Sequence, residues 1–367
     1  MRSRVIARPP DFVLFLSVIV LLSIGVVMVF SASQYTALVC YNDTFYFFKR
    51  QLLYAVLGLT GMFCLLNYDY RNFRRLAFAL LVISFLLLGL VLLPGVGHSS
   101  HGAQRWISLG PVTVQPSEIV KFGIVVFTAF GLSRSRSATK HFGEVLPYLS
   151  INCIAALLIL LQPHLGTAMA LTGTVVAMLF CAGASIRLLT CVGIGGIAAV
   201  AAAICSEAYR MKRFLAFLDP WKDPQVSGFQ IIQSLYAIGS GGLFGMGLGQ
   251  GKQKFLYLPE PHTDFIFAVI AEELGFIGAA LVIVLFLIFI WRGLRVALYA
   301  PDPFARLLAA GITAGIGFQA FVNMGVVTGS LPITGIPLPF ISYGGTSLVF
   351  TLAAVGVLLN ISRQTER

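Results

Sequence analysis

The chain has 367 residues, 58% of them hydrophobic and 11% charged, with a mean hydropathy of +0.90. That balance excludes both a soluble globular domain and a disordered chain, and marks an integral membrane protein. The formal charge of +11 assigns no nucleic-acid partner, because in a membrane protein the meaning of Lys and Arg lies in where they fall relative to the spans.

Apolar windows of roughly 20 residues, enough to cross a hydrocarbon core of about 30 Å, recur near 12–32, 49–66, 76–93, 116–132, 146–162, 165–183, 188–205, 264–290, 306–328 and 340–360. They predict an all-α, single-domain, polytopic protein with ten transmembrane helices. The first window reads as a retained span, since no short apolar leader with a cleavage site stands apart from it. With the N-terminus inside, the inner segments carry fifteen Lys and Arg, against Lys49, Arg50 and Arg105 in the short outer loops. Both termini are therefore expected in the cytoplasm, and the long segment 206–262, between helices 7 and 8, outside. The six cysteines show no CxxC spacing and read as small core hydrophobes, apart from Cys40 in an outer loop.

In chain order, the aromatic-rich loop Gln34 to Phe48 suits an interfacial belt. His98 and His101 form an HxxH without a third ligand nearby and read as loop histidines. Glu118 and Lys121, at i and i+3 within the fourth window, can neutralise each other, as a buried ion pair or as the polar wall of a substrate cavity. The basic loop SRSRSATKHFG reads as an inner turn facing lipid headgroups. Pro163 and Gly166 break the chain at LLQPHLGTAMA, where His164 reads as a hydrogen-bonded filler.

Segment 206–262 is too long for a bare connector and is the natural active-site loop. Its YRMKRFLAFLDPWKDP is amphipathic and basic, with Phe214, Leu215, Phe217 and Leu218 placed to dip into lipid. The glycines 245, 247 and 249 follow no strand, which argues for close packing or a lid and against a dinucleotide fold. Then LPEPHTDFIFAVIAEELGFIG puts Asp264 at the mouth of a membrane helix, either as a functional acid or as an N-cap. At about 100° per residue, Glu272 lies about 80° round that helix from Asp264 and Glu273 on the opposite side, so both are expected to tie the helix to its neighbours. The last two windows enclose GSLPITGIPLPFISYGGTS, an irregular piece tolerated at membrane depth only where it is buried or lines a cavity, with Ser342 and Tyr343 placed to face the cavity of Asp264. The residues alone leave an enzyme, a lipid flippase and a non-catalytic scaffold all open.

GAQRWISLG with QPSEIVK, QPHLGTA, FLDPWKDP with SGFQIIQSLYAIGSGGLFGMG, LPEPHTDFIFAVIAEELGFIG and GIPLPFISYGGTS together resemble, in order and over nearly the whole chain, the shape, elongation, division and sporulation family. Its members include FtsW, RodA and SpoVE, and the GMGLGQGKQKFLYLPE stretch looks more like FtsW and SpoVE. The resemblance implies a peptidoglycan glycosyltransferase of the bacterial cytoplasmic membrane. It would polymerise lipid II at the outer face with a class B penicillin-binding protein and other cell-wall or divisome proteins. It also implies that Asp264 matches an essential aspartate and that Glu118 with Lys121 matches an intramembrane charged pair. His164 stands where family members generally carry an acid.

On that reading Asp264 is the base, its proton affinity raised by partial desolvation. Lys121, Arg105 and Arg213 offset the pyrophosphate, and His262, Thr263 and Ser342 line the substrate site. A divalent cation, Mg2+ or Mn2+, is a further expected partner, held by substrate and water, with no protein cage visible in the sequence.

Overall fold

The computed structural model describes residues 9–93, 97–100, 103–109, 112–134, 142–255 and 257–365. His101, Arg136 and Lys140, and the terminal arginines 2, 4, 8 and 367, lie outside the described residues, as does the side chain of His98.

Helices α1 (Phe12–Tyr41), α2 (Tyr46–Asn67) and α3 (Arg71–Val91) lead into a small sheet. Helices α4 (Pro116–Leu132), α5 (Phe142–Leu161), α6 (Leu165–Cys181) and α7 (Ile186–Cys205) follow it. The long segment holds α8 (Ala208–Leu218), a 3-10 turn at Pro220–Lys222 and α9 (Phe229–Gly241), and the chain ends with α10 (Ile266–Leu298), α11 (Pro303–Val327) and α12 (Gly345–Ser362). Starts are set by local chemistry: Asp11, Ser185 and Asp302 cap α1, α7 and α11 with side-chain oxygens, and Pro116 and Pro303 open α4 and α11, where a missing N–H costs nothing.

Eight of these helices are long and apolar enough to cross a membrane. A helix occupies each of the ten windows, but α4 and α6 are only 17 residues long. Helices α11 and α12 form the centre, with 67% and 72% of their apolar windows buried, whereas α7 stands at the rim with 6%. Lipid supplies no hydrophobic drive between helices, so packing relies on close approach. On α12, a side chain at Gly356 would meet the Met62 backbone oxygen of α2 at 2.4 Å.

Four features depart from the expectation. Strands β1 (Gly97–Ser100), β2 (Ala103–Leu109) and β3 (Val112–Val114) form an antiparallel sheet, with Gly97 opposite Ile107 and Ile107 opposite Val114. The stretch AQRWISL shows no strict polar–apolar alternation, which is why the all-α reading passed over it. Helix α10 begins at Ile266, so Asp264 lies in the turn before it and Phe265 is the cap, without a side-chain bond. The long segment is nearly half helical, α9 reading FQIIQSLYAIGSG. Finally, all six cysteines are exposed, so the five read as core residues are not, and Cys40 lies in the last turn of α1 and not in a loop; in an apolar membrane helix the lipid-facing side is as hydrophobic as the interior, and composition cannot separate them.

Helix α10 is broken at Gly275, whose φ of 69° and ψ of −167° are non-helical. The turn after α9 fills the break. Met246 and Gly247 donate backbone N–H groups to the carbonyls of Glu272 and Glu273, while Phe276 and Ile277 donate theirs to the carbonyls of Gly242 and Leu243. Gly245, at φ 82°, meets Gly275 so closely that a side chain at Gly275 would lie 2.3 Å from the Gly245 nitrogen. Gly275→Ala is expected to lower stability by at least about 2 kcal/mol through left-handed strain and this clash, read as a drop in apparent melting temperature of the purified protein.

At one end of the bundle the termini of several helices are tied together. Arg292 grips both oxygens of Asp11, and the Asp11 N–H donates to Ser362 Oγ. Tyr70 donates its hydroxyl to Asp302 at 2.5 Å and its N–H to Asn360. This end also carries Arg71, Arg74, Arg75, Arg295, Arg306 and Arg363. The sheet, α8, the turn before α10 and the segment Thr328–Gly344 lie at the other.

Candidate functional site

Asp264 is half-buried in the turn between Glu260 and Ile266. That turn is pinned from two sides. Asn323 of α11 donates through Nδ2 to the Asp264 carbonyl at 2.8 Å and to the Ile336 carbonyl at 2.7 Å. Ser342 donates Oγ to the Thr263 carbonyl at 2.6 Å while accepting from Leu338 N–H at 2.7 Å, and Tyr343 N–H donates to the His262 carbonyl. The carboxylate faces the neighbouring segment at Gly335, where a side chain would come within 3.3 Å of Asp264 Oδ2. The absence of a Cβ there keeps the carboxylate open on that side.

Arg105, on β2, is the cation that senses Asp264. Burial lowers its proton affinity, the Asp264 carboxylate opposes that drop, and Arg213 adds to it. Its Nε donates to the Gln162 carbonyl at 2.9 Å and Nη2 to the Pro163 carbonyl, leaving the rest of the guanidinium fork for a ligand. Arg213, on α8, lies 4.4 Å over the ring of Tyr209. The sheet, the amphipathic helix and the turn before α10 thus bring Arg105 under the influence of both the Asp264 carboxylate and Arg213.

Lys121 donates to Glu118 Oε2 at 2.9 Å and to Gln319 Oε1 at 2.7 Å. The three line a cavity of about 60 Å³ between α4, α6, α11 and α12, room for roughly four waters. Gln319 passes its other end to the Pro337 carbonyl at 3.0 Å. Gln319 and Asn323, one turn apart on α11, therefore hold the GIPLP segment to both polar centres. Sequence reasoning missed them, although two amides at i and i+4 in the apolar run GFQAFVNMG were a visible signal.

The remaining predicted residues brace the site. Thr263 donates Oγ1 to Glu260 Oε2 at 2.9 Å. His262 is buried under Phe47, with ring centroids 4.4 Å apart, and against Tyr343, and burial lowers its proton affinity. Ser342 has both its donor and an acceptor position engaged, as described above.

His164 is buried in the turn between α5 and α6, its Nδ1 2.8 Å from Thr167 Oγ1. Burial first, then the charges of Arg105 and Lys121, push its pKa down to about 3. It is thus a neutral ring between two cations, where an acid would have neutralised them. In the unfolded chain its pKa returns to about 6.5, so between there and about 3 the unfolded state binds the extra proton and stability falls as the pH falls. His164→Gln is expected to make the stability profile shallower across pH 6 to 4, by up to about 1.4 kcal/mol per pH unit, measured by thermal unfolding at stepped pH.

Among the described residues no three His, Cys, Asp or Glu cluster to hold a metal ion.

Known proteins resemble the chain along nearly its whole length. Stage V sporulation protein E of Bacillus subtilis is 50% identical over 358 residues, covering 97% of this chain and 98% of that one. A probable peptidoglycan glycosyltransferase FtsW of Geobacter sp. strain M18 is 44% identical over 353 residues, 96% of each. A chain from a solved peptidoglycan synthase complex, described as coordinating polymerization and crosslinking, superposes with a TM-score of 0.80 at 34% identity over 96% of this chain and 98% of its own. A cell cycle protein family profile covers residues 12–367, and on that continuous match, from the first turn of α1 to the last residue, the chain belongs to the FtsW/RodA/SpoVE family.

Proposed function

We propose that this protein is a peptidoglycan glycosyltransferase that polymerises lipid II at the outer face of the bacterial cytoplasmic membrane, with ten spans and both termini in the cytoplasm. The observation that carries the reading is the placement of Asp264, half-buried and fixed through its own backbone by Asn323, with Arg105 and Arg213 acting on the same space. Family membership supports it, as does the excess of arginine at the far end of the bundle. Helices α4 and α6, though 17 residues long, complete the spans in this reading, since tilt and local bilayer thinning accommodate a short helix.

In the reaction, Asp264 takes the proton of the acceptor sugar's 4-hydroxyl as that oxygen attacks the anomeric carbon of the donor, inverting it in a single displacement. The undecaprenyl pyrophosphate leaves with its charge met by Arg105, Arg213 and Lys121. His164 adds no negative charge to that pocket. A divalent cation, Mg2+ or Mn2+, would be held largely by substrate and water, since no three His, Cys, Asp or Glu cluster among the described residues. A class B penicillin-binding protein is the partner expected to cross-link the product.

The test is incubation of purified protein, alone and with its partner synthase, with labelled lipid II, followed by gel separation of glycan polymer. Polymer that depends on Asp264 supports the enzyme. Headgroup translocation without polymer supports the second reading, a flippase, which the Glu118–Lys121 cavity inside the bundle favours.

A further inference from the structure

At the arginine-rich end, opposite the site, a second cavity of about 370 Å³ opens between the first turn of α1, the last turns of α10 and the C-terminal segment. Asp11, Phe12, Arg292, Arg295, Tyr299 and Thr365 line it.

Its charge is unbalanced. Asp11 is buried and held by Arg292 through both carboxylate oxygens, so that pair is neutral. Arg295 points at no carboxylate among the described residues; its guanidinium lies 5.9 Å from the centroid of the Tyr299 ring. Among the described residues the cavity therefore carries one cation, Arg295, without a carboxylate partner. The opening of α1 adds to it, since Asp11 binds the N–H of Leu14 and its carbonyl takes that of Phe15, while those of Phe12 and Val13 have no intrahelical acceptor.

The rim has a different character. Of the lining side chains, Phe12 is 67% exposed, Val13 41% and Tyr299 53%, and they stand where α1 begins and α10 ends. An exposed cation beside an aromatic and aliphatic rim at headgroup depth matches an amphiphile: phosphate at Arg295, glycerol and acyl chains alongside the rim. A free phosphate would leave the rim unused, and a zwitterionic lipid would bring its own cation next to Arg295.

We infer that this cavity is a binding site for the phosphate of an anionic glycerophospholipid, with Arg295 as the residue that selects it. The inference is independent of the proposed reaction.

The full-length protein in detergent is titrated with phosphatidylglycerol or phosphatidylcholine and followed by native mass spectrometry. The expected result is one saturable phosphatidylglycerol retained at least about tenfold more tightly than phosphatidylcholine, a charge-assisted contact being worth about that factor. Arg295→Gln should remove most of that preference with no change in melting temperature in phosphatidylcholine, because Arg295 is exposed. Arg75→Gln, at the same end but outside the cavity, should leave it intact. Equal binding of the two lipids by the unmodified protein overturns the site, as does an unchanged preference in Arg295→Gln. An equal loss in Arg75→Gln would mean diffuse surface charge and would also overturn it. So would displacement of the lipid by inorganic phosphate at matched concentration, which would make the site one for a free anion.

Discussion

Asp264→Asn is expected to lower glycan polymerisation by about 10²- to 10⁴-fold, the usual contribution of a positioned general base, with the protein still folded and partner-bound. The substitution is chosen because it keeps the shape. The Asp264 carbonyl that accepts from Asn323 is backbone and survives the change. The side chain keeps its volume beside Gly335, where there is no Cβ to clash. What disappears is the ability to accept a proton and the negative charge that Arg105 senses. These two losses separate kinetically. A lost base lowers kcat, whereas a lost counter-charge leaves Arg105 and Arg213 freer to bind pyrophosphate and would lower KM. A variant with unchanged kcat would remove Asp264 from the role of base, and a variant with no retained partner or a lowered melting temperature would show a structural fault instead.

The sequence made some of this arrangement readable and hid the rest for physical reasons. Asp264, Glu118 and Lys121 stood out because a charge in an apolar run is costly and therefore rare. Their supports did not stand out: Asn323 and Gln319 act through uncharged amides, and the residues they bind are backbone carbonyls, which leave no mark in sequence. Arg105 could be singled out as an outer cation, but its position beside Asp264 depends on a sheet whose short strands are masked by the surrounding helical pattern. The break at Gly275 was also invisible, because one glycine in a continuous apolar run looks like packing. Its meaning depends on Gly245, 30 positions earlier in the chain, whose turn supplies the hydrogen bonds the helix lacks. The cysteines show the limit from the other side: burial in water-soluble proteins and exposure to lipid select the same small apolar residues.

The largest expected effect on folding lies in the device that fixes the broken helix to the loop leading into the site. Lys254 and Glu273 form an ion pair of 2.7 Å with side chains 2% and 0% exposed. Glu273 also accepts from Ser31 of α1 at 2.8 Å and from Gly249 N–H at 3.0 Å, while Glu272 accepts from the backbone N–H groups of Lys252 and Gln253. Two adjacent carboxylates, just before Gly275, thus hold the stretch 249–254 on the helix whose first turn follows Asp264. The expectation that both would tie the helix to its neighbours is met, and Lys254 adds a partner the apolar pattern did not reveal. Removing one member of a buried pair leaves the other charge desolvated and unmatched, at about 3–5 kcal/mol. Lys254→Met and Glu273→Leu should each lower the melting temperature by several degrees and weaken polymerisation by displacing the loop. The double variant should be more stable than either single one, since an apolar pair buries no unmatched charge. Strictly additive losses in this double-mutant cycle would show that the two side chains act separately, and the loop would then be held by the Glu272 contacts and the glycine turn alone.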